Sequence, residues 1–251
     1  MAIPQIHPTT IRNETFGGVT YHLEGEVVPV LHIELSAVPV YFEHHVLLWK
    51  HPSVDIGVKS LAGAFKRIMS GMPIFMTQAK GPGHIAFSRD GVGQVLPLHL
   101  QRGQSLDVRE HQFLAATDSL DFTFQRVRGF ANMLFSQSGL FIDTFTARAD
   151  GILWLHGYGN VFEVTLANGE QFDVEPGGWV YKDRSVSMNT ELMRLSTGLF
   201  ASAGQIVFNR FTGPGRIGIQ SMYYHPPVAS EGGEAPAGAG ILGAVVRGLG
   251  N

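Results

Sequence analysis

Apolar and polar residues alternate along most of this chain, and the alternation returns at a fixed interval. Three segments align without gaps: FEHHVLLWKHPSVDI from Phe42, VREHQFLAATDSLDF from Val108 and VEPGGWVYKDRSVSM from Val174, with starts 66 residues apart. Ser53, Ser119 and Ser185 fall in register, as do the trios Leu48/Leu114/Val180, Val54/Leu120/Val186 and Ile56/Phe122/Met188. The period of two in SVDI, SLDF and SVSM marks half-buried strands. A second block recurs as FMTQAKGPGHIAF from Phe75, FIDTFTARADGILWL from Phe141 and VFNRFTGPGRIGI from Val207. Each reads as strand, glycine turn, strand. Gly81, Pro82 and Gly83, then Gly151, then Gly213, Pro214 and Gly215 form the predicted turns, where glycine allows backbone angles that other residues resist.

The strand that opens each unit is weaker. Leu98 matches Val164, Leu100 matches Leu166 and Gly103 matches Gly169, with Asn168-Gly169 as a hairpin signal. Copy one opens with VVPVLHIELS and has Ala37 at the turn. Between the blocks, Val58, Leu61, Ala62, Phe65, Ile68 and Met69, and later Phe124, Val127, Ala131 and Leu134, follow helical spacing. A short helix over the sheet and a capping loop fit this stretch equally. A fixed period of this length means repeated units that share surfaces, since one such unit is too small to bury its own apolar face.

The expected fold is therefore all-β: three pseudo-repeats of an antiparallel β-sandwich unit around a pseudo-threefold axis. Residues 1–224 form one triplicated domain, with copies at about 24–87, 88–155 and 156–224. Residues 225–251 are a Pro/Gly/Ala-rich tail ending in ILGAVVRGLG, too short to span a bilayer. That tail is the expected contact to a protein partner or a membrane surface. Sheet edges left over make a homo-oligomer the expected state.

Composition removes several chemistries. The chain has 251 residues and no cysteine, so thiol nucleophiles, disulfides and Cys-ligated metals are excluded. The formal net charge is -3, which supplies no global field for nucleic acid, and nucleic acid is not an expected partner. Met1–Thr10 shows no secretory pattern, so a cytoplasmic location is expected, peripheral to a membrane at most.

Gly-Pro-Gly after a Phe-led strand, at Gly81-Pro82-Gly83 and Gly213-Pro214-Gly215, preceded by SLAGAFKRIMSGMPIFM, resembles the altered-inheritance-of-mitochondria family (number twenty-four), through a bacterial member. The resemblance covers about Glu24 to Tyr224. It implies a fold similar to the tryptophan RNA-binding attenuation protein and no established enzymatic activity. The mitochondrial members are associated with inner-membrane organisation. The chain departs from the family pattern at Gly71-Met72 and at Ala149-Asp150-Gly151.

Candidate chemistry gathers in copy one. Glu43, His44 and His51 lie close in sequence, with His32 upstream, and are the candidate metal ligands of a cupin-like enzyme. From His44 to His84, Lys50, Lys59, Lys66, Arg67 and Lys80 stand against the single acid Asp55 and could bind RNA or an anionic ligand. The recurring serines read as turn caps rather than nucleophiles. Trp49, Trp154 and Trp179 read as core or subunit contacts. The leading function is a non-enzymatic oligomeric scaffold or interaction protein, with no cofactor expected.

Overall fold

The computed structural model describes residues 2–59, 76–127, 140–194 and 205–223. The helical spacing after Val58 falls mostly outside them, as do Lys66, Arg67 and the 225–251 tail. Val58, Phe124 and Val127 themselves lie on strands.

Among the described residues the chain is β throughout, in antiparallel sheets. An N-terminal section gives β1 (Gln5–Ile6), β2 (Ile11–Phe16) and β3 (Val19–Glu24). Copy one then gives β4 (Val30–Leu35), β5 (Val40–Phe42), β6 (Leu47–Lys50), β7 (Asp55–Lys59), β8 (Met76–Lys80) and β9 (Gly83–Phe87). Copy two gives β10 (Gly93–Leu100), β11 (Ser105–Arg109), β12 (Phe113–Thr117), β13 (Leu120–Val127), β14 (Leu140–Ala147) and β15 (Gly151–Tyr158). Copy three gives β16 (Val161–Leu166), β17 (Gln171–Val174), β18 (Trp179–Asp183), β19 (Ser187–Arg194), β20 (Gln205–Thr212) and β21 (Gly215–Gln220).

The pairing recurs with the sequence. The first strand of each copy pairs the last: β4 with β9, β10 with β15, β16 with β21. The third strand also pairs the last, and each time one extra residue bulges, between Leu47 and Trp49, Phe113 and Ala115, Trp179 and Tyr181. The second and fourth strands flank the fifth: β5 and β7 on β8, β11 and β13 on β14, β17 and β19 on β20. Each copy therefore makes two strand trios.

Three apolar clusters fill the space between trios. Copy one places Leu31, Ile33, Ile85 and Phe87 with Val40, Phe42 and Ala79. Copy two places Leu96, Leu98 and Leu155 with Val108, Phe122 and Phe145. Copy three places Val164, Leu166, Trp179 and Ile217 with Val174, Val186 and Phe211. Trp154 and Trp179 are fully buried, as the core reading requires, whereas Trp49 is 51% exposed.

The turns explain the repeated serine and glycine. A Cβ on Gly83 would sit 2.7 Å from Ser53 Oγ, and one on Gly215 would sit 2.7 Å from Ser185 Oγ. Both glycines have positive φ, 141° and 135°. Gly151 differs: its φ is ordinary, and only lack of space beside Ser119 and Thr117 calls for glycine. Ser53 Oγ donates to Pro82 O at 2.6 Å and Ser119 Oγ to Asp150 O at 3.2 Å, so the hydroxyl ties two turns together.

Two seams stitch the copies. β12 of copy two pairs β5 of copy one, with Ala116 opposite Tyr41. β18 of copy three pairs β11 of copy two, with Lys182 opposite Asp107. The third seam that a closed threefold arrangement would need joins β6 to β17, and it is not among the pairings. Among the described residues β6 pairs only β9, and β17 pairs only β20.

Candidate functional site

Glu43, His44 and His51 do not converge. Glu43 precedes a 3-10 turn at His44–Val46, and its carboxylate faces His45 Nε2 at 3.4 Å and Arg89 Nη2 at 3.7 Å. His44 meets only the edge of the His45 ring, with centroids 5.8 Å apart, among its ring contacts. His51 Nδ1 is committed to Ser53 Oγ at 2.7 Å, in the turn after β6. Neighbours in sequence here serve a turn, a salt bridge and a cap, so the three do not form a cupin-like metal centre.

The basic face is also partly spent. Lys59 is ion-paired with Asp118 and lies 4.1 Å over the Tyr41 ring. Lys50 Nζ donates to Val54 O at 2.9 Å. Lys80 is exposed, directly opposite Asp55 on the paired strand.

A different cluster assembles on the hairpin of β3 and β4. His22 and His32 are directly opposed across the strands. Strand alternation puts Glu24 on the same face as His22, two residues along. The imidazoles stack at 4.3 Å, 9° from parallel, and His32 Nε2 lies 3.1 Å from Glu24 Oε1. One ligand atom from each of His22, Glu24 and His32 falls within 4.8 Å of the others, and no other His/Asp/Glu trio among the described residues does this. Burial, then His22, lowers the His32 pKa below the ordinary imidazole range, while Glu24 works the other way. The edge of Trp49 closes one side, 5.3 Å from the His32 ring. His22 and Glu24 also line a depression of about 370 Å³, with Thr10, Arg12 and Asn13. Asn13 has φ 48° where β2 bulges against β3.

The same place in the other copies carries other chemistry. Leu35, Leu100 and Leu166 each face the first glycine of the closing strand, which makes His32, Pro97 and Glu163 equivalent. Around Pro97, Ala115, Ile152 and Trp154 are buried beneath copy one. Around Glu163, the Tyr181 hydroxyl donates to its carboxylate, Arg216 Nη1 lies 3.6 Å away and His7 Nε2 4.0 Å. Burial and then Glu163 push the Tyr181 phenol well above its usual pKa, so it stays a donor. Copy three thus has a closed network and copy one an open one.

Another depression, about 600 Å³, lies elsewhere, between Phe16, His99, Gln104, Arg184 and Arg216. Arg216 in its wall is spent internally, since its Nη2 donates to Asp183 at 3.0 Å.

The sequence signal for the cluster was available. In YHLEGEVVPVLHIEL the apolar Tyr21, Leu23, Leu31 and Ile33 alternate with His22, Glu24, His32 and Glu34 about a glycine turn. Read as a hairpin, that pattern puts both histidines on the polar face.

These features define an antiparallel β protein of interleaved sandwich units, with one open His/Glu cluster on its outer sheet. No helix among the described residues is long and apolar enough to cross a membrane. Residues 21–222 match the family described as mitochondrial biogenesis AIM24, and the chain belongs to that family. An uncharacterized protein of Streptococcus pyogenes serotype M6 is 27% identical over 197 residues, 76% of this chain and 77% of its own length. An X-ray structure of a Streptococcus pyogenes protein shares the fold, with TM-score 0.63 at 22% identity, over 82% of this chain and 94% of that one.

Proposed function

We propose that this protein is a non-enzymatic assembly scaffold whose chains join end to end, β6 of one against β17 of the next. The observation that supports this is the exposure of one seam strand. Leu48 and Trp49 on β6 are 48% and 51% exposed, whereas their equivalents Leu114, Ala115, Val180 and Tyr181 are each 0%. β17 is likewise mostly exposed, where β5 and β11 are buried. Each open edge has the shape of one half of a seam the chain already makes twice.

The register carries over. The internal seams oppose Ala115 to Phe42 and Tyr181 to Val108. The same offset opposes Trp49 to Val174 and Lys50 to Asp173. Lys50–Asp173 would repeat the buried Lys182–Asp107 pair, 2.8 Å long in the second seam. Open edges are templates for further strands, and a head-to-tail contact yields rings or filaments. The same reading places the chain in the cytoplasm, with residues 225–251 as a contact to a neighbouring protein.

The chain has no cysteine, so Trp49→Cys with Val174→Cys gives a clean reporter. Opposed residues on antiparallel strands lie within disulfide reach. Oxidation should give covalent dimers and higher multimers, and the shifted pair Leu48→Cys with Val174→Cys should give far fewer. A cross-link confined to the monomer would mean the seam closes within one chain, and would overturn the proposal. So would a monomeric wild-type chain at tens of micromolar in sedimentation.

A further inference from the structure

We propose that His22, Glu24 and His32 form a binding site for a borderline divalent transition ion, with zinc as its probe. The proposal stands on the side-chain geometry and does not depend on the assembly reading.

Two imidazoles and one carboxylate suit such ions, and the chain offers no thiolate to compete. The backbone already sets the spacing. A directly opposed cross-strand pair and a residue two places along the same strand fix three Cβ atoms on one face. Donor atoms around a zinc ion lie about 3.4 Å apart, given bonds near 2.0–2.1 Å. The three donor atoms here fall within 4.8 Å, and His32 Nε2 and Glu24 Oε1 are already at 3.1 Å. Small rotations of exposed or half-exposed side chains complete the set.

The surroundings fit a ligand site more than a structural one. Apolar side chains hold the equivalent place in copy two, and copy three holds a carboxylate satisfied by a tyrosine, an arginine and a histidine. In copy one His22 and Glu24 both line an open depression. Asn13, left-handed where β2 bulges against β3, lines the same depression. The fourth position is left for water or a residue of a neighbouring molecule, as in open zinc sites.

The test uses full-length protein with any affinity tag removed. Equilibrium dialysis against zinc, and cobalt absorption spectroscopy, should give one equivalent per chain with a tetrahedral cobalt signature. His22→Ala, His32→Ala and Glu24→Gln should each weaken binding at least tenfold. Glu24 is exposed, so Glu24→Gln tests the site even if a histidine variant folds poorly. His44→Ala with His51→Ala should bind as wild type. Less than about one-tenth equivalent in the wild type overturns the proposal. So does binding that survives His22→Ala and Glu24→Gln, or that falls only with His44 and His51.

Discussion

The seam between copies two and three and the pair of open edges, β6 and β17, are built from the same parts. In the seam, Lys182 donates to Asp107 Oδ2 at 2.8 Å and to Val186 O at 2.9 Å, and Thr144 Oγ1 donates to Asp107 Oδ1 at 2.8 Å. At the open edges, Lys50 keeps the bond to Val54 O, but Asp173 is held by Arg210 through two bonds of 2.8 Å. Lys182 has its carboxylate, and among the described residues Lys50 has none. The Lys182–Asp107 pair is buried where its two strands pair, whereas Lys50 and Asp173 stand on edges without that pairing among the described residues. A charge left in a buried seam without its partner is expensive, while the same charge at a wet edge is nearly free.

The contrast is tested most strongly by Asp107→Ala. It strands the Lys182 ammonium in the seam and should lower stability by about 3–5 kcal/mol. Urea unfolding followed by circular dichroism measures this, and a loss under about 1 kcal/mol would show that the seam is wetter than its burial suggests.

Next in size is an effect of pH on the middle copy. Burial, then the Arg89 guanidinium, lowers the His156 pKa to about 4 from an ordinary 6.5. Below pH 6.5 the unfolded chain binds a proton that the folded chain refuses until about pH 4. Stability should therefore fall as pH drops through that window, by on the order of 1–3 kcal/mol, and then level off. His156→Gln should flatten the urea midpoint against pH. An unchanged slope would assign the acid sensitivity to other groups.

The smallest effect is expected at the open edge. Lys50→Ala should change the stability of the dilute chain by less than about 1 kcal/mol. Yet it should weaken self-association in sedimentation, and Asp173→Lys in the same chain should not restore it. Rescue should come instead from the charge-swapped pair Lys50→Asp with Asp173→Lys.

The sequence made the triplication legible because the core keeps its alternation. Val54, Leu120 and Val186 are all at most 2% exposed. It did not show which strands pair, because β5 with β12 and β11 with β18 join residues some seventy positions apart through backbone groups that every residue shares. The clustered histidines misled for a related reason. His44, His45 and His51 are close along the chain but lie on a 3-10 turn and past a strand end. His22 and His32 are further apart in sequence and are brought together by hairpin register. Proximity in a β protein is set across strands, and the strongest local motif was therefore the weaker site.

The two internal seams have a consequence for how the protein responds to its own abundance. Peptide links hold each internal pair of edges at an effective concentration of order millimolar, so those pairings form at any dilution. The β6 and β17 edges have no such tether between chains. In the proposed assembly their pairing would be governed by mass action, and the fraction of joined chains would report how many chains are present. Two junctions are fixed architecture within the chain, and in the proposed assembly the third would be a gauge of expression level.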